Sequence, residues 1–332
     1  MPGSGPLKRL VRVVPAAIAA TAVIAITSAT TATTSGGMAA ASTVTSTVTS
    51  TVSGTVSGTA TRAAATPAKL CIGAGALDPK HSCPKTQKLR TSPDFAKNDI
   101  SEGISKCLML GPNPSKLLVC HRGDTSSPKK RIALFGNSHA GHWLDALDVI
   151  GKKKHWEIDS YILAYCDVSL TDAPDYCAGF RDVERPAVLA QHYDLVIMGS
   201  DKSPDTSPDT YMPTLQLLVG NGSNVLVIRD TPAPGDPYHL VPDCIAEHLK
   251  RTSACDGKPK DWIHQDFLTA AAKQLGDPHV FTANVDRYIC TKRVCPAVVG
   301  GVIPYRDENH LTATYTRTLI PYLQPSIEKA MP

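Results

Sequence analysis

A chain of 332 residues has room for one large domain or two small ones. Its balance of 42% hydrophobic and 19% charged residues is ordinary for a globular protein, and only the 5% aromatic share stands out as low. The formal charge of +4 is modest, and the basic runs are as short as Lys129-Lys130-Arg131 and Lys152-Lys153-Lys154. A nucleic-acid binder gathers Lys and Arg on one face, so no nucleic-acid partner is expected.

Residues 1–41 read as an export signal or an N-terminal anchor. Lys8, Arg9 and Arg12 precede an apolar run from Val13 to Ile26, and Ala39-Ala40-Ala41 offers a small-residue cleavage site. The run is short for a membrane-spanning helix, and Pro15 near its start weakens the helical reading further. In either case the bulk of the chain is expected outside the cytoplasm, extracellular or associated with the cell envelope. Residues 42–68 repeat a four-residue unit, as in Ser42-Thr43-Val44-Thr45 and Ser46-Thr47-Val48-Thr49. Small polar residues bury too little apolar surface to offset the ordering of the backbone, so this stretch is a disordered tether. A single domain is expected over residues 69–332.

Ten cysteines fall in that domain as close neighbours: Cys71 and Cys83, Cys107 and Cys120, Cys166 and Cys177, Cys244 and Cys255, Cys290 and Cys295. An even count in an exported chain implies disulfides. Spacing alone does not fix the connectivity, and neighbour pairing is the simplest choice. Each bridge then closes a short loop, worth roughly 2–3 kcal/mol in the chain-entropy model. Facing C-x-x-C pairs of a zinc site are absent.

Residues 71 to 130 show little periodicity and read as a cap on whatever follows. From Lys130 onward, strands and helices alternate. Short apolar runs at 131–136, 158–164, 195–199, 225–228 and 280–285 have the look of buried parallel strands. Helical patterns cover 142–154, 183–192, 211–219 and 262–275, and the final helix, 313–331, is interrupted by Pro321 and Pro325. Asp145 and Asp148 are expected on the exposed face of the first of these helices. The alternation predicts a parallel sheet between helical layers, with any site at the carboxyl ends of the strands.

Gly136-Asn137-Ser138-His139 stands at such an end. A serine there places its hydroxyl and N–H at a helix N-terminus, where an oxyanion can be held, and Gly136 permits the tight turn. Ser138 could equally be a plain helix cap. Asp307-Glu308-Asn309-His310 supplies what a nucleophile needs: Asp307 can orient the imidazole of His310, which then takes the Ser138 proton. By itself the Asp-x-x-His spacing is a weak signal; paired with the strand–Gly-x-Ser-His–helix element it is a strong one. His139 and His142 are three apart, but no third group marks a metal site, so neither metal nor cofactor is expected. Asp230-Thr231-Pro232 follows a strand and lies near the same rim, as a substrate contact or a Pro-capped loop.

These residues resemble the SGNH hydrolase superfamily, and specifically the SGNH domain fused to membrane O-acyltransferases of acyltransferase family three. The likeness runs from about Lys69 to the C-terminus, through Cys71 to Leu77, Gly136 to Trp143, Val227 to Pro232 and Tyr305 to Thr312. It implies a flavodoxin-like three-layer parallel sheet with disulfide-stapled loops, and a Ser138, Asp307, His310 triad. It also implies an exported serine esterase or O-acyltransferase acting on acyl esters, acetyl above all, of envelope carbohydrates. Gly136, Asn137, Gly199 and Ser200 are the candidates around the oxyanion. Three departures stand out. Asn137 replaces the usual Asp. Met198-Gly199-Ser200-Asp201 stands where the superfamily has a donating Asn, and an ionised Asp cannot donate. The membrane acyltransferase part is outside these 332 residues, which leaves a separately encoded partner, an esterase acting alone, or a non-catalytic carbohydrate-binding accessory subunit. Acyl group, sugar and oligomeric state are not legible.

Overall fold

The computed structural model describes residues 70–332 apart from 86, 112–115, 167, 172–174 and 202–205. The expected export segment and the tether lie outside the described residues. Among those described, no helix is long and apolar enough to cross a membrane.

Seven strands build one sheet: β1 (Leu108–Met109), β2 (Cys120–Gly123), β3 (Lys130–Gly136), β4 (Trp156–Leu163), β5 (Leu195–Gly199), β6 (Asn224–Ile228) and β7 (Val280–Ala283). Their order is β1-β4-β3-β5-β6-β7, all parallel along this path, while β2 pairs antiparallel with β4. The five strands expected from the apolar runs are all present, with ends shifted by a residue or two. The run at β7 ends at Ala283 rather than 285.

Alternation of side chains by two sorts each strand onto two faces. Ile132, Leu134, Ile158, Ile162, Leu195, Ile197, Leu226 and Ile228 belong to one core, with helix Leu144–Lys154 and helix Ile320–Ala330 over them. Ala133, Phe135, Tyr161, Val196, Met198, Val225 and Val227 face the other core, covered by helices Pro208–Gly220 and Phe267–Leu275. Both faces are dry, which is why these strands read as continuous apolar runs. The fold is therefore the three-layer α/β arrangement.

Four local expectations are corrected. The segment before Lys130 is more than a cap: β1 lies along the carboxyl half of β4 and β2 along its amino half, so it extends the sheet. The first expected helix starts at Leu144 rather than 142, and a separate short helix, Ser138–Gly141, precedes it. Asp145 is only 8% exposed, because the segment before β1 and the last helices close over it; it accepts the Glu102 N–H at 2.8 Å and Arg317 Nη2 at 2.6 Å. Asp148 likewise accepts the Gly123 N–H. Finally, the last helix is interrupted before Pro321, as expected, into Ala313–Thr318 and Ile320–Ala330 with Pro321 in the first turn of the second, but Pro325 does not interrupt it.

All five cysteine pairs are the sequence neighbours: Cys71–Cys83, Cys107–Cys120, Cys166–Cys177, Cys244–Cys255 and Cys290–Cys295.

Midway along β4, the buried Asp159 carboxylate takes Arg131 Nη2 at 2.8 Å, His121 Nδ1 at 2.6 Å and the Tyr193 hydroxyl at 2.6 Å. It thereby ties β2, β3 and β4 together. At the carboxyl end of the sheet, Gly136 has φ +154°, and a Cβ there would collide with the Gly199 carbonyl oxygen. Two predictions follow from these contacts. Asp159→Ala leaves buried donors unpaired and should cost about 2–3 kcal/mol in urea unfolding, a figure discounted because Arg131 and His121 reach solvent. Gly136→Ala should cost about 2–4 kcal/mol in the same measurement, through backbone strain and the collision with β5.

Candidate active site

Strand β3 ends at Gly136, and the chain turns into the four-residue helix Ser138–Gly141. The cap of that helix is Asn137, not Ser138: Asn137 Oδ1 accepts the His139 N–H at 3.0 Å. Ser138 is the first helical residue, half-buried, and its hydroxyl is not used as a cap. The plain-cap reading of Ser138 therefore loses its basis. So short a helix also adds little dipole, which leaves the local N–H groups as the electrostatic feature of the turn.

Asn137 explains itself. Its Oδ1 also accepts the Asp201 N–H at 3.1 Å, and its Nδ2 donates to Ser200 Oγ at 3.1 Å. An aspartate could accept the two N–H groups but could not donate to Ser200. Ser200 Oγ donates in turn to the Asp201 carbonyl. The side chains of Asn137 and Ser200 are thus engaged in joining the ends of β3 and β5. Gly136 and Gly199 face each other across the same junction.

Asp307 and His310 lie on a loop closed by an isolated bridge between Tyr305 and Leu311. The Tyr305 hydroxyl donates to the Pro232 carbonyl at 2.6 Å, and the Gly235 N–H donates to the Glu308 carbonyl at 2.8 Å. The loop is thereby pinned to the segment after β6. Within it, Asp307 Oδ1 accepts the backbone N–H of His310 at 2.7 Å, and Oδ2 lies 2.9 Å from His310 Nδ1. Arg306 Nη1 is 2.9 Å from the same Oδ2. Burial alone raises the Asp307 carboxyl; the hydrogen bond and charge of His310, with Arg306 behind, bring it down to about 2. Ionised, it fixes the proton of His310 on Nδ1 and leaves Nε2 as the basic nitrogen. Nε2 is buried and makes no hydrogen bond. His310 itself lies below the usual imidazole value: burial, the largest cause, disfavours its charge, and together with the positive charges of His139 and Arg306 it outweighs the pull of Asp307.

The turn bearing Ser138 and the loop bearing His310 meet, because the ring of His139 lies 5.0 Å from that of His310 between centroids. His142 is beside them, 5.4 Å from His139, fully buried and held neutral by burial and by the cations around it. His139 was noticed in the sequence only for its spacing to His142. In the structure its partner is Asp230, at the end of β6, with Nδ1 to Oδ1 at 2.6 Å. Nothing local announces a pair separated by 91 residues; the one available signal is that both follow strand ends. The 2.6 Å separation is that of a shared proton. Two ligands of a zinc-sized ion would stand about 3.3 Å apart in tetrahedral geometry.

No curated protein matches the chain in sequence. Among solved structures, the periplasmic domain of a lipopolysaccharide acetyltransferase from Salmonella ser. Paratyphi A is similar at 12% identity, covering 62% of this chain and 86% of its own, with a TM-score of 0.49. A putative acylhydrolase from Bacteroides fragilis is similar at 14% identity, over 64% of this chain and 91% of that one, TM-score 0.38. The C-terminal catalytic domain of peptidoglycan O-acetyltransferase A from Streptococcus pneumoniae gives 11% identity over 62% and 96%, TM-score 0.30. At such identities these are likenesses of fold. The family model described as the SGNH domain fused to AT3 domains matches residues 106–325, more than half of the sequence, and the chain belongs to that family.

Proposed function

We propose that the chain is an exported serine esterase or O-acyltransferase that takes acyl groups, acetyl above all, from or to the hydroxyls of cell-envelope carbohydrates. The observation that carries this reading is the buried, unpartnered Nε2 of His310, oriented by an ionised Asp307 and set against the turn that bears Ser138. Membership of a family named for its fusion to acyltransferases supports the acyl chemistry. Five disulfides support a location outside the reducing cytoplasm.

In this mechanism His310 Nε2 removes the Ser138 hydroxyl proton as Oγ attacks the ester carbonyl. The carbonyl electron pair moves onto oxygen, where the Ser138 N–H stabilises it. Collapse of the adduct breaks the bond to the alcohol oxygen, which takes the proton from His310 and leaves. The same base then activates the acceptor, water or a sugar hydroxyl, and the acyl group passes to it with regeneration of Ser138. A separately encoded membrane O-acyltransferase fits as donor of the acyl group. The rival reading, an accessory binding subunit, draws on the engagement of Asn137 and Ser200, which takes the Ser200 hydroxyl proton and one of the two Asn137 amide protons from the oxyanion.

A fluorophosphonate probe separates the two. Labelling of the wild type that vanishes in Ser138→Ala supports the enzyme, and a folded wild type that stays unlabelled sinks it. With p-nitrophenyl acetate, Ser138→Ala should lower kcat/KM by on the order of 10³-fold or more, and Asp307→Asn by about 10²–10⁴-fold. Because His310 is lowered from its usual value of 6.5, activity should hold through neutral pH. It should be lost only as pH falls below that range and Nε2 takes a proton.

A further inference from the structure

A second histidine–carboxylate pair lies inside the site, and the triad makes no use of it. His139 is 2% exposed, follows Ser138 directly, and holds Asp230 Oδ1 at 2.6 Å through Nδ1. Asp230 is itself fixed, its N–H donating to Asp266 Oδ2 at 3.0 Å. The other ring nitrogen, Nε2, is buried without a hydrogen bond and stands 3.8 Å from Asp201 Oδ1. The groups facing this ring come from every element packed on it. Asp201 follows β5, Asp230 follows β6, Asp307, Arg306 and His310 come from the 305–311 loop, and His142 comes from its own turn. Two imidazoles 5.0 Å apart in so buried a place do not both carry a proton cheaply. One of them has a carboxylate in contact and two more nearby, whereas the other shares its carboxylate with Arg306.

We propose that Asp230 and His139 form a positioning pair: an imidazolium fixed beneath the catalytic base, whose charge keeps a second proton off His310 and so leaves His310 Nε2 free to take the proton of Ser138. The electrostatics agree with the geometry. Burial opposes the charge on His139, but Asp230, Asp201 and Asp307 outweigh it and raise the group to about 9. His139 in turn is among the causes that lower His310. The role in catalysis rests on the serine-enzyme reading above; the charge coupling of the two rings does not.

The test is therefore a titration that needs no activity. In the full chain labelled with ¹⁵N-histidine, long-range ¹H–¹⁵N spectra report which ring nitrogens carry protons. The expected result is His139 protonated on both nitrogens at pH 7, with His310 protonated on one. In Asp230→Asn and in His139→Gln, the His310 midpoint should rise by about one pH unit, and the acidic limb of p-nitrophenyl acetate hydrolysis should rise with it. A merely structural role would lower activity at every pH and leave the midpoint where it was. The wild-type spectrum decides the charge on His139 even if a variant does not fold. A neutral His139 at pH 7, a stoichiometric divalent metal ion bound by its Nε2, or an unmoved His310 midpoint overturns the proposal. A moved midpoint in a chain without Ser138-dependent esterase activity would overturn the enzymatic reading and leave the coupling standing.

Discussion

The site depends on one close approach, that of Gly136 to Gly199 where the central strand β3 runs out against β5. A Cβ on Gly136 would meet the Gly199 carbonyl, so only glycine lets the chain leave the sheet at this point and in this direction. Everything polar follows from that exit. Asn137 reaches across to the Asp201 N–H and to Ser200, which fixes the distance between two strand ends. Ser138 then falls on the outer side of the turn, and His139 on the inner side, beneath the loop that carries His310.

Beneath that turn the structure assembles an unusual density of charge. Asp201, Asp230 and Asp307 surround two histidines, with Arg306 at the edge. In a region of low polarisability, such a set is stable only if its charges balance locally. Three carboxylates facing one guanidinium do not balance, and a protonated His139 brings the sum closer to neutrality. His142 remains uncharged because it has burial and cations around it but no carboxylate in contact. The two imidazoles differ in burial as well as in charged neighbours: His139, which touches Asp230, has a side chain 2% exposed, and His310, which shares Asp307 with Arg306, one 15% exposed.

The sheet was legible because both of its faces are covered, so each central strand is an uninterrupted apolar run. The cysteine pairing was legible because the loops are short and the neighbours close. The two strands laid on the edge of β4 were not: Leu108–Met109 has two residues, and Cys120–Gly123 carries Cys, His, Arg and Gly, with no apolar pattern at all. They are strands because β4 offers them an unpaired edge, which is tertiary information. Asp145 was misplaced for the same reason, since its burial comes from segments 43 and 172 residues away. Of the candidate site, local spacing pointed to Ser138, Asp307 and His310, and the structure pairs the last two. The bond from His139 to Asp230 was missed because it joins the ends of two different strands.

The disulfides bear on the same geometry. Asn137 and Ser138 follow the end of β3 and Asp230 follows the end of β6, whereas Asp307 and His310 lie in the long segment after β7. The connection after β6 carries helices Val241–Glu247 and Phe267–Leu275 between irregular stretches, and it is joined to the segment after β7 by a chain of short links. Cys244–Cys255 closes the first, and Cys290–Cys295 closes the second. Between the two, Gly257 bridges Cys295 through a pair of backbone hydrogen bonds, and the Ala297 N–H donates to Asp256 Oδ1. Tyr305 then reaches back to Pro232. The two disulfides already restrict these loops in the unfolded chain, so ordering them on folding costs less. These two cross-links thus lie on the connections after β6 and β7, the segments that carry Asp230 and His310. Reduction should accordingly disturb the 305–311 loop before it disturbs the strands, since the cores on both faces of the sheet are built largely from side chains that need no disulfide.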